Sequence, residues 1–421
     1  MVDWAEDLKA IAVKTAVIGG GFEYDGKELA PFDAEAATAF FEELKTQNVK
    51  SVAISCVFST VRNDHELAAA ELCRKIMGED VHVSVSSEIG SMGLIERENA
   101  TILNAALYKV AQSFTEGFAR SLADEGVTNA EIYLSQNDGT LMTMDYARRY
   151  PILTIACGPT NSIRGACYLS QLKNAVVVDV GGTTTDLGVI QNGFPRESGV
   201  AVTIGGVRTN FRMPDVISIG LGGGSIVRQQ ADGTVTVGPD SVGYQINEKA
   251  LCFGGDVCTA TDIALRLGMA DLGDKTLVAG LDETFARKAL DAIRTLCEDA
   301  LDAMKVSSED VDVILVGGGA IVLPPQLAGA KTVTQPECGG VANAIGSAIS
   351  KVSGTFEQLI DYDKTPRDQA LAQARAQAVE LAVAAGAIRE TVEIIDAEDV
   401  PLQYYPGNTA RVKIKAAGDL A

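Results

Sequence analysis

The segment Asp179-Val180-Gly181-Gly182-Thr183-Thr184-Thr185-Asp186 brings two carboxylates, two glycines and three hydroxyls together between two apolar runs. Glycines let a backbone turn tightly and approach a ligand closely. Consecutive amides in such a turn can point at phosphate oxygens, and the hydroxyls of Thr183, Thr184 and Thr185 add donors. Asp179 and Asp186 would flank those phosphates, where carboxylates hold hydrated Mg2+ directly or through water. The segment has no lysine and does not fit GxxxxGK(S/T), so it is not a P-loop. A β-hairpin turn with polar decoration is the plain alternative.

Two more glycine turns follow apolar runs. Gly222, Gly223, Gly224 and Ser225 come after the run 215–219. Three successive glycines carry a large backbone entropy cost, which points to close backbone approach rather than a loose surface loop. Gly317, Gly318 and Gly319 follow Val316 and can bring backbone against a base or ribose. Asp138, within Gln136-Asn137-Asp138-Gly139, is either a Mg2+ or substrate contact or a turn residue, since Asn-Asp-Gly favours turns by itself. Glu88, Glu96 and Glu98 precede or open a helix, where acids suit the positive dipole end, with a catalytic role as the alternative. Cys157 reads as a small buried packing residue. His65 follows Asn63 and Asp64 at a helix start, so it is read with a cap and not with a metal.

Alternating apolar and amphipathic stretches must position these groups. The pattern predicts helices over 33–46, 64–76 and 96–123, and strands over 49–55, 82–86 and 130–134. A second unit opens near 174 with the continuous apolar strand 175–178, the kind buried inside a sheet. Strand 187–190 follows, then a hairpin turn at Asn192-Gly193, helices over 259–267 and 282–303, and strand 311–316. The last stretch has a strong helix over 368–385 with a stop near Gly386, then strands over 391–395, 400–405 and 410–414. The units are 1–173, 174–354 and a small α+β segment 355–421. The class is α/β.

Composition narrows the function classes. The 421 residues suggest two to four domains. With 47% hydrophobic and 22% charged residues the chain can bury a large core without disulfides. Thirty-five basic against 56 acidic residues give a net charge of −21, which argues against a nucleic-acid partner. Eight scattered cysteines without a CxxC pair, and His65 and His82 as the only histidines, argue against structural zinc. The first residues lack a signal peptide's apolar core, and the charge-free run 313–330 is broken by glycines and prolines. The expectation is a cytoplasmic protein with reduced thiols and no membrane partner.

The three glycine segments, taken in order with Ser87-Glu88-Ile89-Gly90, Glu96-Arg97-Glu98-Asn99-Ala100-Thr101, Asn104-Ala105, Gln136-Asn137-Asp138-Gly139 and Gly158-Pro159, resemble the hydantoinase/oxoprolinase family, in particular its hydantoinase A-type subunit. The likeness runs along essentially the whole chain. It implies a two-lobed actin-like ATPase of ribonuclease H-like architecture, akin to sugar kinases and Hsp70. Each lobe of that fold supplies a phosphate loop. By resemblance, Gly181, Gly182, Thr183, Thr184 and Thr185 belong to the second-lobe loop, with Asp179 and Asp186 on Mg2+ and, together with Asp138, in catalytic roles. Gly222, Gly223, Gly224 and Ser225 are expected to line the same cleft, and Gly317, Gly318 and Gly319 its adenosine side.

The implied activity is ATP-dependent opening of a small cyclic amide, such as a hydantoin, 5-oxoproline or a related lactam, through carbonyl phosphorylation. The implied partner is a hydantoinase B-type subunit, and a homo-oligomer is compatible. An ATP-dependent carboxylase subunit of the acetone or acetophenone carboxylase type is the alternative. Two departures stand out. Cys157 occupies the place before Gly158-Pro159 where the family more often has serine. No DxGGTxTD loop precedes Asp179, so the first lobe is expected to lack its N-terminal strands. The chain alone is then expected to have weak or no ATPase activity, and a non-catalytic nucleotide-binding protein is the third reading.

Overall fold

The computed structural model describes residues 4, 6–90, 93–196, 198, 202–210, 213–402 and 407–421. Helix α1 (Ala34–Thr46) starts where the Asp33 carboxylate accepts the Ala36 N–H at 2.9 Å, an N-cap of the usual kind. Strand β1 (Ser51–Ile54), helix α2 (Asp64–Met77) and strand β2 (His82–Val85) follow, the two strands pairing in parallel. The long helix α3 (Leu94–Asp124) packs against both strands. Beneath it lies a buried polar knot. Glu66, 1% exposed, accepts from Cys56 N at 2.7 Å, Ser87 N at 2.9 Å and Ser86 Oγ at 2.5 Å. Arg97, 2% exposed, donates to Ser86 Oγ at 3.0 Å and to Cys56 O at 2.9 Å. Buried charges persist only with such partners.

Next come β3 (Tyr133–Ser135), β4 (Leu141–Thr143), α4 (Cys157–Ser170), β5 (Ala175–Val180), β6 (Thr185–Gln191), β7 (Val216–Ile219), α5 (Ala260–Arg266), α6 (Glu283–Met304), β8 (Val311–Val316), β9 (Ala330–Thr334) and α7 (Ala342–Ala348). The central sheet has the order β7-β6-β5-β8-β9, with the short strand Phe194–Pro195 beside β6. Strand β6 is antiparallel to both neighbours, and β5, β8 and β9 are parallel. Numbered within this unit the order is 3-2-1-4-5, the ribonuclease H-like order that the sequence resemblance implied. Alternation along β5 sends Val176 and Val178 into the core under α5 and α6, and Ala175 and Val177 into the core under α4 and α7. The sheet is therefore covered on both faces, which explains the uninterrupted apolar run that marks β5 in the sequence.

Helices α4 and α7 meet through glycine. A methyl group added at Gly165 would overlap the Ala342 carbonyl oxygen, and one at Gly346 the Asn161 carbonyl oxygen. The last elements are β10 (Val352–Asp361), α8 (Arg367–Ala384), β11 (Glu393–Pro401) and β12 (Thr409–Gly418). They do not form a sheet by themselves. The order is β11-β12-β10-β4-β3, so the β3–β4 hairpin joins them through Leu141 opposite Val352. Helix α8 lies on this sheet with Ala370, Ala374, Ala378 and Ala382 buried at four-residue spacing. Gly386 follows the helix in the left-handed region at φ 109°. The two strands expected over 391–395 and 400–405 are one strand, β11, continuous across an irregularity at 394–396, and residues 403–405 lie outside the described ones.

Two glycine-to-alanine changes separate packing from propensity. Gly165→Ala is expected to lower stability by about 2 kcal/mol or more, because the helix contact cannot relax around a new methyl. Gly117→Ala, inside α3 with open space around it, is expected to raise stability by about 1 kcal/mol. Denaturant midpoints at constant slope read both.

Candidate functional site

Ser218, Asp186, Asp179 and Val316 stand in one register row across β7, β6, β5 and β8. Strands β7, β5 and β8 run in the same direction, so the glycine turns that follow Ile219, Val180 and Val316 leave the sheet at one edge. Open α/β sheets bind ligands at that edge, beyond the strand C-termini.

The turns are bonded to one another by backbone. Gly223 N donates to Gly181 O at 3.0 Å, Gly224 N to Gly182 O at 2.7 Å, and Gly319 N to Val180 O at 2.8 Å. Their approach excludes side chains. A methyl at Gly222 would lie 2.6 Å from Thr183 N, and one at Gly319 would overlap Gly181 O. Gly317, at φ 88°, could not carry a side chain without striking the Asp179 carboxylate and Val180 O. Helix α5 anchors the middle turn: Thr261 donates to Gly223 O from its N–H at 3.0 Å and from its hydroxyl at 2.9 Å.

This arrangement divides the residues expected to contact ATP into two groups. Gly222, Gly223, Gly224 and Ser225 are buried and their amides are taken, Gly222 N by Ser225 Oγ at 2.8 Å and Ser225 N by Gly222 O at 3.0 Å. Thr185 is likewise buried and its hydroxyl donates to Leu221 O at 2.7 Å. These five support the site from beneath. Gly182, Thr183 and Thr184 are exposed, after a turn closed by Gly181 N on Thr184 O at 2.8 Å. The amides of Gly182 and Thr183 and the hydroxyls of Thr183 and Thr184 have no partner among the described residues. Gly318, also exposed, presents its amide in the same way.

Asp179 and Asp186 are direct cross-strand partners on the sheet face covered by α4. Burial pushes both carboxyls up from the ordinary value, and the charge of Asp186 pushes Asp179 further. Ser162 on α4 faces Asp179 and Ser218 faces Asp186, each bond countering part of that rise. Asn343 on α7 donates to Ser162 Oγ at 3.2 Å and to Gly158 O at 2.8 Å, which fixes the serine. Neither acid pairs with a cation among the described residues. A divalent ion fits such a pair, because Mg2+ usually takes one or two carboxylates and completes its shell with water and phosphate oxygens. Ser162, Ser218 and Asn343 were not singled out by sequence. Ser218 was visible as a polar residue inside an apolar strand, whereas Asn343 carried no local signal.

Asp138 stands apart from this pair. No group of three or more acidic, histidine or cysteine side chains gathers among the described residues. Asp138 accepts from Thr140 N at 2.9 Å, Thr140 Oγ1 at 2.6 Å and Lys415 Nζ at 2.5 Å. Burial alone would push its carboxyl up, but the Lys415 ammonium and the Thr140 bonds hold it below the ordinary range. It ties the β3–β4 turn to β12. Other expected residues are also engaged locally. Glu88 takes Arg149 at 2.7 Å and the Tyr150 hydroxyl at 2.9 Å. Glu96 pairs with Arg208 at 3.4 Å, and Glu98 takes the Trp4 indole at 2.6 Å. His65 Nδ1 accepts Gly21 N at 2.9 Å, which leaves Nε2 to donate to Glu28 at 2.9 Å. Cys157 is pushed up by burial, as a packing thiol would be.

Two substitutions test these roles. A carboxyl raised by folding contributes stability at acid pH and loses it as pH rises through the folded-state value. Asp179→Asn should therefore be more stable than the parent at pH 7, with the difference closing as pH falls below the ordinary 3.8. Denaturant midpoints across pH measure this, and an unchanged or lower midpoint at pH 7 refutes it. Asp138→Asn leaves the Lys415 ammonium buried without its partner and is expected to cost about 3 kcal/mol at neutral pH.

Comparison with known proteins places the chain among its relatives. Residues 97–271 match a family described as hydantoinase/oxoprolinase, and residues 5–77 match the hydantoinase/oxoprolinase N-terminal region. Caprolactamase subunit alpha of Pseudomonas jessenii is 30% identical over 293 residues, 68% of this chain and 41% of that protein. A 5-oxoprolinase of Saccharomyces cerevisiae is 28% identical over 56% of this chain and 18% of its own length. The acetophenone carboxylase gamma subunit of Aromatoleum aromaticum is 27% identical over 58% of this chain and 34% of its own length. The chain thus spans about two-fifths or less of these relatives. The crystal structure of ATP-dependent caprolactamase from Pseudomonas jessenii superposes with a TM-score of 0.74 at 22% identity, over 95% of this chain and 69% of that one. A nucleotide-free acetone carboxylase gives 0.68 at 17% identity, over 96% and 69%. The fold is shared with both. With the glycine turns in their expected order on that fold and both family regions matched, the chain belongs to the hydantoinase/oxoprolinase family.

Proposed function

We propose that this chain binds Mg2+–ATP at the sheet edge and takes part in ATP-dependent opening of a cyclic amide, a hydantoin, 5-oxoproline or related lactam, together with a hydantoinase B-type subunit. The observation that carries the reading is the group of free donors on Gly182, Thr183, Thr184 and Gly318, set beside two uncompensated carboxylates. In this reading the Gly182 and Thr183 amides and the two threonine hydroxyls face phosphate oxygens. Asp179 and Asp186 hold the cation, and the buried second turn keeps the first from moving. The nucleotide, when bound, supplies a phosphoryl group that makes the amide carbonyl a better electrophile for water. Phosphoryl transfer asks mainly for positioning and charge neutralisation, and rigid amides with two carboxylates provide both. The names of the caprolactamase and 5-oxoprolinase relatives support the cyclic-amide substrate. A carboxylase reading draws on the acetophenone carboxylase relative.

Gly182 and Gly318 make the test clean, because an added methyl at either meets nothing within 4 Å. Gly182→Val and Gly318→Val should keep the parent's stability within about 0.5 kcal/mol, yet weaken Mg2+–ATP binding at least tenfold by calorimetry. Absence of binding to the parent chain at millimolar Mg2+–ATP sinks the nucleotide reading. Phosphate release stimulated by a lactam and indifferent to bicarbonate supports the hydrolase, and bicarbonate-dependent release supports the carboxylase.

A further inference from the structure

Helix α4 has a second end. Its first turns carry Ser162 beside Asp179, while its last turn lies at the opposite edge of the sheet, next to the residues that precede β5 and follow β6. There a cavity of about 260 Å3 opens between Arg164, Tyr168, Gln171, Lys173 and Gly193. Arg164 is partly buried and Lys173 is exposed, and neither side chain forms a hydrogen bond or an ion pair among the described residues. The acid whose charge reaches Arg164 is Asp138, and that carboxylate already holds Lys415. No acidic residue lines the cavity.

A guanidinium drawn in from water with five donors and no acceptor is an unusual thing to leave unpaired. The helix end would oppose an anion through its free carbonyls, but Gln171 covers two of them. Its N–H takes Cys167 O at 2.9 Å and its Nε2 takes Tyr168 O at 2.5 Å. Arg164 and Lys173 thus line a space large enough for a tetrahedral oxyanion and a few waters, at roughly 30 Å3 per water. The pair is complementary in type: arginine offers a planar fork for two oxygens, and lysine a mobile point charge.

We propose that this cavity is a binding site for a dianionic phosphate group, held by Arg164 and Lys173 at the far end of α4 from the glycine turns. A monocarboxylate would balance one of the two charges, so phosphate is the better match. The site does not depend on whether the glycine turns bind a nucleotide.

Residue-resolved chemical labelling tests it without interference from the other edge. Acetic anhydride labelling of Lys173 and phenylglyoxal labelling of Arg164 are followed by peptide mass spectrometry, with inorganic phosphate, acetate or chloride at equal ionic strength. Millimolar phosphate should slow labelling of both residues at least fivefold relative to chloride, with one common half-protecting concentration. Arg164→Gln should abolish protection of Lys173. Lys173→Gln, a change on an exposed side chain, should raise the phosphate needed to protect Arg164 about tenfold, and it serves as the test should Arg164→Gln fail to fold. Equal labelling in phosphate and chloride overturns the site. So does protection by acetate as strong as that by phosphate, or protection of Lys173 that survives Arg164→Gln. Phosphate bound only at the glycine turns would leave both labels unchanged.

Discussion

Three backbone hydrogen bonds hold the site together: Gly223 to Gly181, Gly224 to Gly182, and Gly319 to Val180. Each joins segments far apart in the chain, and each demands that main chain touch main chain with no side chain between. A side chain at Gly319 would strike Gly181 O, and one at Gly224 would press on Gly182 O. The bonds also settle which amides remain for a ligand. By taking the donors of the middle turn, the fold leaves its free N–H groups on one exposed corner at Gly182 and Thr183, and on Gly318 facing it. Rigidity and availability come from the same constraint. The buried turn is fully bonded, and the exposed turn is held at its base and open at its tip.

The carboxylates obey a different logic. Direct opposition on β5 and β6 places two acids together without a cation, on the sheet face that α4 covers. Folding raises both carboxyls, so the pair is destabilising at neutral pH in the same measure that it attracts positive charge. Ser162 and Ser218 relieve part of this. Ser162 is itself fixed from α7 through Asn343, and α7 can reach it only because Gly165 and Gly346 let the two helices close to backbone distance. Helix packing and the setting of the two carboxylates are thus one problem, solved at the glycines between α4 and α7.

Much of this was legible in the sequence. The continuous apolar runs of β5 and β8 named the sheet centre, because strands covered on both faces need no polar alternation. Glycines at 181–182, 222–224 and 317–319 named the turns, and at Gly222, Gly317 and Gly319 only glycine permits the contacts seen there. The division of labour among them was not legible. Nothing local in Gly222-Gly223-Gly224 reveals that the Gly223 and Gly224 amides point at Gly181 and Gly182 instead of at a ligand, since that depends on two segments about forty residues apart in the chain. Asp138 is the sharper case. Its Asn-Asp-Gly setting left turn and ligand roles open, and the deciding partner, Lys415, lies 277 residues away on β12. The β3–β4 hairpin that carries Asp138 reads as part of the preceding unit, yet it is hydrogen-bonded to the C-terminal strands.

Several charged groups elsewhere in the molecule set the background for the two open regions. Glu66, Arg97, Asp138, Asp262 and His65 are buried or partly buried, and each finds partners, often on distant segments. Against that background the unpartnered polar groups at the glycine turns and along α4 are informative, because the same fold satisfies comparable groups elsewhere. In the proposed reading the donors of Gly182, Thr183 and Gly318 and the carboxylates of Asp179 and Asp186 carry opposite needs, and a ligand that answers both brings anionic oxygens and a cation together. Arg164 and Lys173 lack the acidic half of that arrangement, so the ligand proposed there is an anion alone. On these two proposals the ligands differ because only the Ser162 side of α4 faces the carboxylates of β5 and β6.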